Sequence, residues 1–454
     1  MTSNQGSGAM PSNSGTTDDD QPCTQRLLGF WTCTALVVGN TIGIGIFMLP
    51  AVLAPYGLNA LLGWGATVLG CVALAKVFAR LAQLLPEADG PYAYIRTTLG
   101  NGPAFLAIWC YWVSIWITNA TIAVGVVGYL QAVVPGMVGL APAPLFALVL
   151  LWLFVTINLF GVRAGGPVQI ATTSLKLLPM AAVILIGGWL LVSEPAAYAR
   201  NIPTTPIALP QIMAASTIAL FAMLGFESAC VPAGRVRNPS RTIPRATLVG
   251  TVLTATIYFA VSAIPMLLIP QAELANSQAP FVDLLNRLLG GNSGRWLALF
   301  VVISGLGALN GWTLLVGELT RTMSANGTLP AAFAKCNDRG APTLALVVTG
   351  LLASAMVLMN YSKSLVEGFA FMSKMVTAAN LPLYLCAAVG LVLLGRRGGR
   401  SVSRELLVTG GLGMAYALFA FIGVGGEPLL WGLVLAAAGL PLYLLRRFRG
   451  PAPG

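Results

Sequence analysis

Residues Gly39 to Pro50 read GNTIGIGIFMLP and place Gly39, Gly43 and Gly45 in the middle of the first strongly apolar segment of the chain. A bilayer interior supplies no water to an exposed amide or carbonyl. A spanning helix opened at Gly43-Ile44-Gly45 therefore needs something else to satisfy its freed backbone groups, either neighbouring helices or a bound solute. Gly39 and Gly43 also match the small-xxx-small pattern of a packing face. Both readings require a helix inside a membrane.

Composition points the same way. Of the 454 residues, 57% are hydrophobic and 9% charged, whereas soluble domains carry about 25% charged residues. Windows of about 20 apolar residues give about twelve spans. They fall near 29–54, 57–84, 101–134, 141–161, 167–192, 209–234, 244–269, 295–325, 341–360, 364–395, 404–424 and 427–445. The expected fold class is an all-α polytopic membrane protein.

The net charge of +11 does not indicate nucleic acid, because the basic residues recur in short loops on alternate sides of the spans. Arg26, Arg96, Arg163 and the groups at 235–245, 321–339, 396–404 and 446–449 share one side; Arg200, Arg287, Arg295 and Lys363 lie on the other. The positive-inside rule makes the richer side cytoplasmic and puts both termini there. Lys76 and Arg80 stand near the cytoplasmic end of the second span, while Lys176 and Lys374 lie deep in theirs. The seven cysteines form no CxxC pair or framework spacing and read as small packing residues. Histidine is absent, so any proton coupling falls to Lys, Glu or Asp. No motif calls for a metal or cofactor, and GxxxxGK[ST] does not occur, so a gradient or exchange must drive any transport. Residues 1–25 are polar, include Asp18-Asp19-Asp20 and lack a basic n-region, which predicts a disordered cytoplasmic tail and no signal peptide.

A second interruption, Phe221-Ala-Met-Leu-Gly225-Phe-Glu227, falls in the sixth span. If each break opens a five-span unit, the odd number of spans forces the units into opposite orientations. Paired broken helices in an inverted 5+5 repeat are the arrangement of alternating-access transporters. The expected organisation is a transport core over 26–395, with repeats 26–192 and 209–395, then two further helices over 404–445 that serve packing or a homodimer contact, and a basic cytoplasmic tail over 446–454. Pro179, Pro265 and Pro382 read as ordinary membrane-helix prolines.

From about Leu36 to the end of the tenth span the chain resembles the amino acid/polyamine/organocation (APC) transporters, whose core is the LeuT-like inverted repeat. Within them it is most similar to the bacterial arginine/agmatine antiporters of the basic amino acid/polyamine group. The resemblance rests on GNTIGIGIFMLP, GPYAYIRTTLG (90–100), GFESACVPAGRVRNPSRTIPRAT (225–247) and NGWTLLVGELTR (310–321). It implies multi-pass residence in a bacterial inner membrane and an amino acid substrate. It also implies that amides of Ile44 and Gly45 meet the α-carboxylate, and that carbonyls of Thr41, Phe221 and Leu224 meet the α-ammonium. Exposed amides at a helix N-terminus do favour an anion, and freed carbonyls a cation. Trp312 matches a gating aromatic that also packs on substrate. Tyr111, taken as part of the gate, and Asn119 match positions lining the same cavity. Glu227 matches an acid of the cytoplasmic gate linked to proton sensing, and its alternative role is to cap the second half-helix.

Several residues depart from the pattern. The carboxylate-binding serine of the arginine/agmatine antiporters is Ile44 here, and the tryptophan that stacks on the guanidinium is Phe221, a weaker face for a cation. Aligning on Gly368 puts Lys374 beside the substrate's side chain, where it would repel a cation and favour a neutral or acidic amino acid over arginine/agmatine exchange. Lys176 replaces a small apolar residue. A lysine there resembles proton-coupled relatives of the superfamily and either exchanges protons during transport or snorkels to the interface. The leading expectation is thus a secondary transporter of a neutral or acidic α-amino acid, with basic amino acid/amine antiport as its alternative. An enzyme is disfavoured by the absence of HExxH and GxSxG, a channel by the lack of a visible ring of charges. A substrate sensor on a transporter fold would bind without flux.

Overall fold

The computed structural model describes residues 29–86, 88, 90–137, 139–161, 176–193, 201, 205–226, 236, 238–291, 293–397 and 400–449. Among the described residues the regular secondary elements are helices. The chain starts with α1 (Phe30–Thr41), α2 (Gly45–Leu53), α3 (Leu58–Leu84), α4 (Gly90–Leu99), α5 (Asn101–Val133) and α6 (Ala143–Leu159). Next come α7 (Lys176–Ser193), α8 (Leu209–Met223), α9 (Pro239–Leu268), α10 (Gln271–Ala275) and α11 (Pro280–Leu289). The series ends with α12 (Gly294–Ala325), α13 (Thr343–Met359), α14 (Leu365–Arg397), α15 (Arg400–Gly423), α16 (Gly426–Ala437) and α17 (Leu440–Arg449). Among the described residues, 8 helical segments are long and apolar enough to cross a bilayer, and α1, α2, α6, α8 and α13 are shorter apolar helices. The protein is a multi-pass α-helical membrane protein.

The expected spans coincide with these helices to within a few residues wherever both are described, and the first span is split. α1 ends at Thr41, Ile42 is extended at φ −73°, ψ 101°, and α2 restarts at Gly45. The sixth span stops at Met223, with Leu224 extended at φ −60°, ψ 140° and Gly225 at φ +105°, a backbone conformation that glycine adopts without steric cost. Residues 227–235 fall outside the described residues.

α5 is the axis of the core. It is buried on every face along its middle, where the residues from Trp112 to Tyr129 are all buried. α14 and α12 pack along it, while α3 holds α9 and α8 on the other side of the breaks. Small residues permit these close approaches. A Cβ on Gly63 of α3 would stand 2.9 Å from the Ser216 amide of α8, so the two backbones touch there. The last segment, Gly426–Leu444, is peripheral, with 6% of its apolar window buried. The pair α10 and α11 has no counterpart among the expected spans. α11 is amphipathic, and it buries Phe281 against Phe47 of α2 with ring centroids 5.3 Å apart.

Candidate functional site

The first break is held open by specific bonds. Ile42 N–H closes α1 on the Val38 carbonyl at 3.0 Å, and Thr41 Oγ1 donates to the Val37 carbonyl at 2.7 Å. The Thr41 carbonyl, freed because no helix follows it, accepts from the hydroxyl of Tyr258 on α9 at 3.0 Å. One buried tyrosine thus satisfies the last carbonyl before the interruption. On the far side, Phe47 N–H returns to the Ile44 carbonyl at 3.1 Å. The amides of Gly45 and Ile46 open α2 and have no helical acceptor before them.

Side-chain placement explains the Ile44 departure. Its side chain turns away from the break into a slot between α5 and α12. A Cβ on Gly125 would come 3.1 Å from Ile44 Cγ1, and one on Gly305 would come 3.2 Å from Ile44 Cδ1. Two glycines make room for a branched side chain, and the Ile44 backbone remains at the break. Gly43 differs from both, since an added Cβ there would meet nothing within 4 Å. Gly45 is tightly limited, with its Cβ position 2.9 Å from Cε1 of Phe221.

At the second break Leu224 N–H turns back to the Phe221 carbonyl at 3.3 Å. Phe226, just beyond, is anchored in an aromatic cluster with Phe78 of α3 and Tyr384 of α14, at centroid distances of 6.1 and 5.3 Å. The two breaks face one another across a cavity of about 30 Å³. Thr41 and Gly43–Ile46 line it from the first break, Phe221, Ala222 and Leu224 from the second, Thr118 and Ile122 from α5, and Trp312 from α12.

Six of the expected site residues, Thr41, Ile44, Gly45, Phe221, Leu224 and Trp312, thus share one cavity. Asn119 does not line it. That residue is 4% exposed, and its Oδ1 has no hydrogen-bond partner among the described residues. Thr118, one position earlier, faces the cavity in its place and donates to the Ser114 carbonyl at 2.8 Å. Tyr111 lies two turns further from the cavity on α5 and is half-buried. Glu227 lies outside the described residues. Lys176 opens the described part of α7, is 3% exposed, and forms no ion pair among the described residues.

Lys374 is placed differently from the expectation. Its Nζ donates to the Tyr56 hydroxyl at 3.1 Å, at the far end of the first span, and its side chain is not part of the cavity lining. The lining contains no charged side chain. Sequence reasoning did not single out Tyr258, Thr118 or Ile122. Tyr258 carried a signal, since a tyrosine in the middle of an apolar span is expected to seek a hydrogen-bond partner when buried.

A helix opened within its span, facing the end of another across a small interior cavity, is an arrangement found in membrane transporters. The chain belongs to the amino acid permease family, whose sequence profile matches residues 28–437, and through it to the APC superfamily. It is similar to the putrescine transporter PotE of Haemophilus influenzae, 28% identical over 92% of this chain and 96% of that one. A putative arginine/ornithine antiporter of Bacillus subtilis is 32% identical over 80% and 83% of the two chains. The cadaverine/lysine antiporter of Escherichia coli is 30% identical over 74% and 75%. All three relatives are transporters, as the sequence resemblance implies for this chain.

Proposed function

We propose that this chain is an antiporter of the bacterial cytoplasmic membrane that exchanges a basic α-amino acid for a second basic amino acid or amine by alternating access. The observation that carries the reading is the composition of the cavity wall, which brings together the start of α2, where amides lack a helical acceptor, the ends of α1 and α8, and the aromatic residues Phe221 and Trp312, with no charged side chain. A carboxylate suits the amides and an ammonium the carbonyls. A distal cation gains about 0.5–2 kcal/mol over an aromatic face. The expectation of a neutral or acidic substrate depends on Lys374 standing beside the substrate. Lys374 bonds to Tyr56 and is not among the residues lining the cavity, and the relatives named for arginine, ornithine, lysine and diamines support the basic reading.

The cavity has room for about one water. Substrate entry therefore requires the wall to open, and Trp312, with Tyr111 and Glu227, is the gate candidate of this reading, Phe221 lining the cavity beside it. Counting α1 and α2 as one broken crossing and the helix begun by α8 as another gives the twelve spans and the inverted repeat of this reading. Both termini are then cytoplasmic, and the exposed flank at Gly426–Leu444 is free for lipid or a second copy.

Ligand-dependent thermal stabilisation of the purified protein tests the substrate class. Arginine, ornithine and lysine should raise the melting temperature where alanine and glutamate do not, and Phe221→Leu should weaken arginine binding by about tenfold. Stabilisation by alanine or glutamate alone would overturn the basic reading.

A further inference from the structure

A groove of about 800 Å³, separate from the cavity between the breaks, runs up the outside of the bundle between α3, α9 and α15. Each of the three helices contributes cations at one end of the groove and apolar residues above them. On α3, Lys76 and Arg80 follow Leu69, Val72 and Ala73; on α9, Arg245 precedes Leu248; on α15, Arg404 precedes Val408 and Leu412. α3 runs toward this end while α9 and α15 start from it, so the three sequences place the charge independently at one level. The end is the side rich in basic residues.

The charges do not cancel. Glu405 is the sole carboxylate on the wall and pairs with Arg80, which also donates to Gln83 at 2.7 Å. Lys76, Arg245 and Arg404 form no ion pair among the described residues and are exposed. Leu69, Val408 and Leu412 above them are 74%, 55% and 57% exposed, an apolar wall that faces hydrocarbon in a bilayer. At a rise of ~1.5 Å per residue, Lys76 to Leu69 and Arg404 to Leu412 each extend about 10–12 Å, a substantial part of one leaflet's hydrocarbon depth.

We propose that this groove is a binding site for an anionic phospholipid of the cytoplasmic leaflet. The headgroup phosphate sits among Lys76, Arg245 and Arg404, and an acyl chain lies along Leu69, Leu248, Val408 and Leu412. Charge complementarity selects the headgroup, since three free cations surround the position that a leaflet phosphate reaches. The wall above selects a lipid over a soluble phosphate, which would leave that apolar surface uncovered. The site joins α3, which packs on α8, to α9, which carries Tyr258, so the lipid would bridge two helices that support the breaks.

Native mass spectrometry of the full chain, with phosphatidylglycerol or phosphatidylcholine titrated in turn, tests the proposal. The expected result is a preference for phosphatidylglycerol that the triple variant Lys76→Gln, Arg245→Gln, Arg404→Gln reduces by about a hundredfold. The control Arg287→Gln, Arg321→Gln, Lys335→Gln, with the same charge removed elsewhere, should keep the preference. Glu405→Gln, which frees Arg80, should tighten phosphatidylglycerol binding by about fivefold, a readout that does not depend on the triple variant folding. Equal binding of the two lipids by the wild type, loss of preference in the control, unchanged affinity in Glu405→Gln, or displacement of the lipid by millimolar inorganic phosphate would each overturn the site. Transport activity does not enter the measurement, so the result is independent of the substrate reading.

Discussion

The Tyr258 hydroxyl donates to the Thr41 carbonyl at 3.0 Å, bridging α9 to the point where the first spanning helix opens. Without it this carbonyl would be unpaired in a dry interior, where an unmade bond costs about 1–3 kcal/mol. Tyr258→Phe keeps the ring and its edge contact with Trp64 but orphans the carbonyl. The variant should lose about 1–3 kcal/mol of stability and transport at least about tenfold more slowly. Thermal unfolding and initial uptake rates would check this, and wild-type values in both would show that the break does not depend on the hydroxyl.

Ile44 and Gly125 should behave as a coupled pair. Ile44→Ala empties the slot between α5 and α12 and should destabilise the protein by about 2–4 kcal/mol. Gly125→Ala alone pushes a methyl against Ile44 and Phe369, where the Cβ would stand 3.1 and 3.0 Å away. In the Ile44→Ala background the same methyl meets less resistance. A double-mutant cycle should therefore give an interaction of about 1–2 kcal/mol in the favourable direction. Additive effects would mean that Ile44 is not held by that slot.

The breaks were legible in the sequence because glycines in an apolar run are a local signal, as at Gly43, Gly45 and Gly225. The register of α5 was not, because a helix buried on all sides has no apolar face to orient it. Asn119 and Thr118 are indistinguishable on periodicity, and the structure selects Thr118 for the cavity. The hydrogen bond of Lys374 is illegible for another reason. Its partner Tyr56 lies 318 residues away in the chain, and no spacing rule brings them together. α11 escaped notice because it is short and amphipathic, lying between two spans that dominate any hydropathy window.

A proton-coupling role for Lys176 gives a sharp expectation. The side chain is buried in a spanning helix, with no ion pair among the described residues. Lys176→Ala should flatten the pH dependence of the exchange rate while exchange of substrate for substrate continues. Exchange into preloaded vesicles measured across a pH series decides the point. An unchanged pH profile would remove Lys176 from the coupling mechanism.

Asp283 on α11 lies outside the spans, where burial raises its carboxyl above the ordinary carboxylate range, partly offset by the Ser277 hydroxyl that donates to it. The folded state then holds this proton more tightly than the unfolded chain does. The group's contribution is greatest below the unfolded pKa of about 4 and declines as pH rises through the folded value. Asp283→Asn should therefore melt above the wild type near neutrality, and the gap should close as pH falls toward about 4. A gap that widens on acidification would contradict the assignment.

Counterflow in proteoliposomes tests the central claim most directly. Vesicles loaded with arginine, ornithine, lysine, putrescine or no substrate are diluted into labelled arginine, with labelled alanine and glutamate in parallel. The antiport account predicts arginine uptake only into vesicles holding a basic amino acid or amine, and little uptake of alanine or glutamate under any loading. Preferential uptake of alanine or glutamate, or arginine uptake that ignores the internal solute, would contradict it.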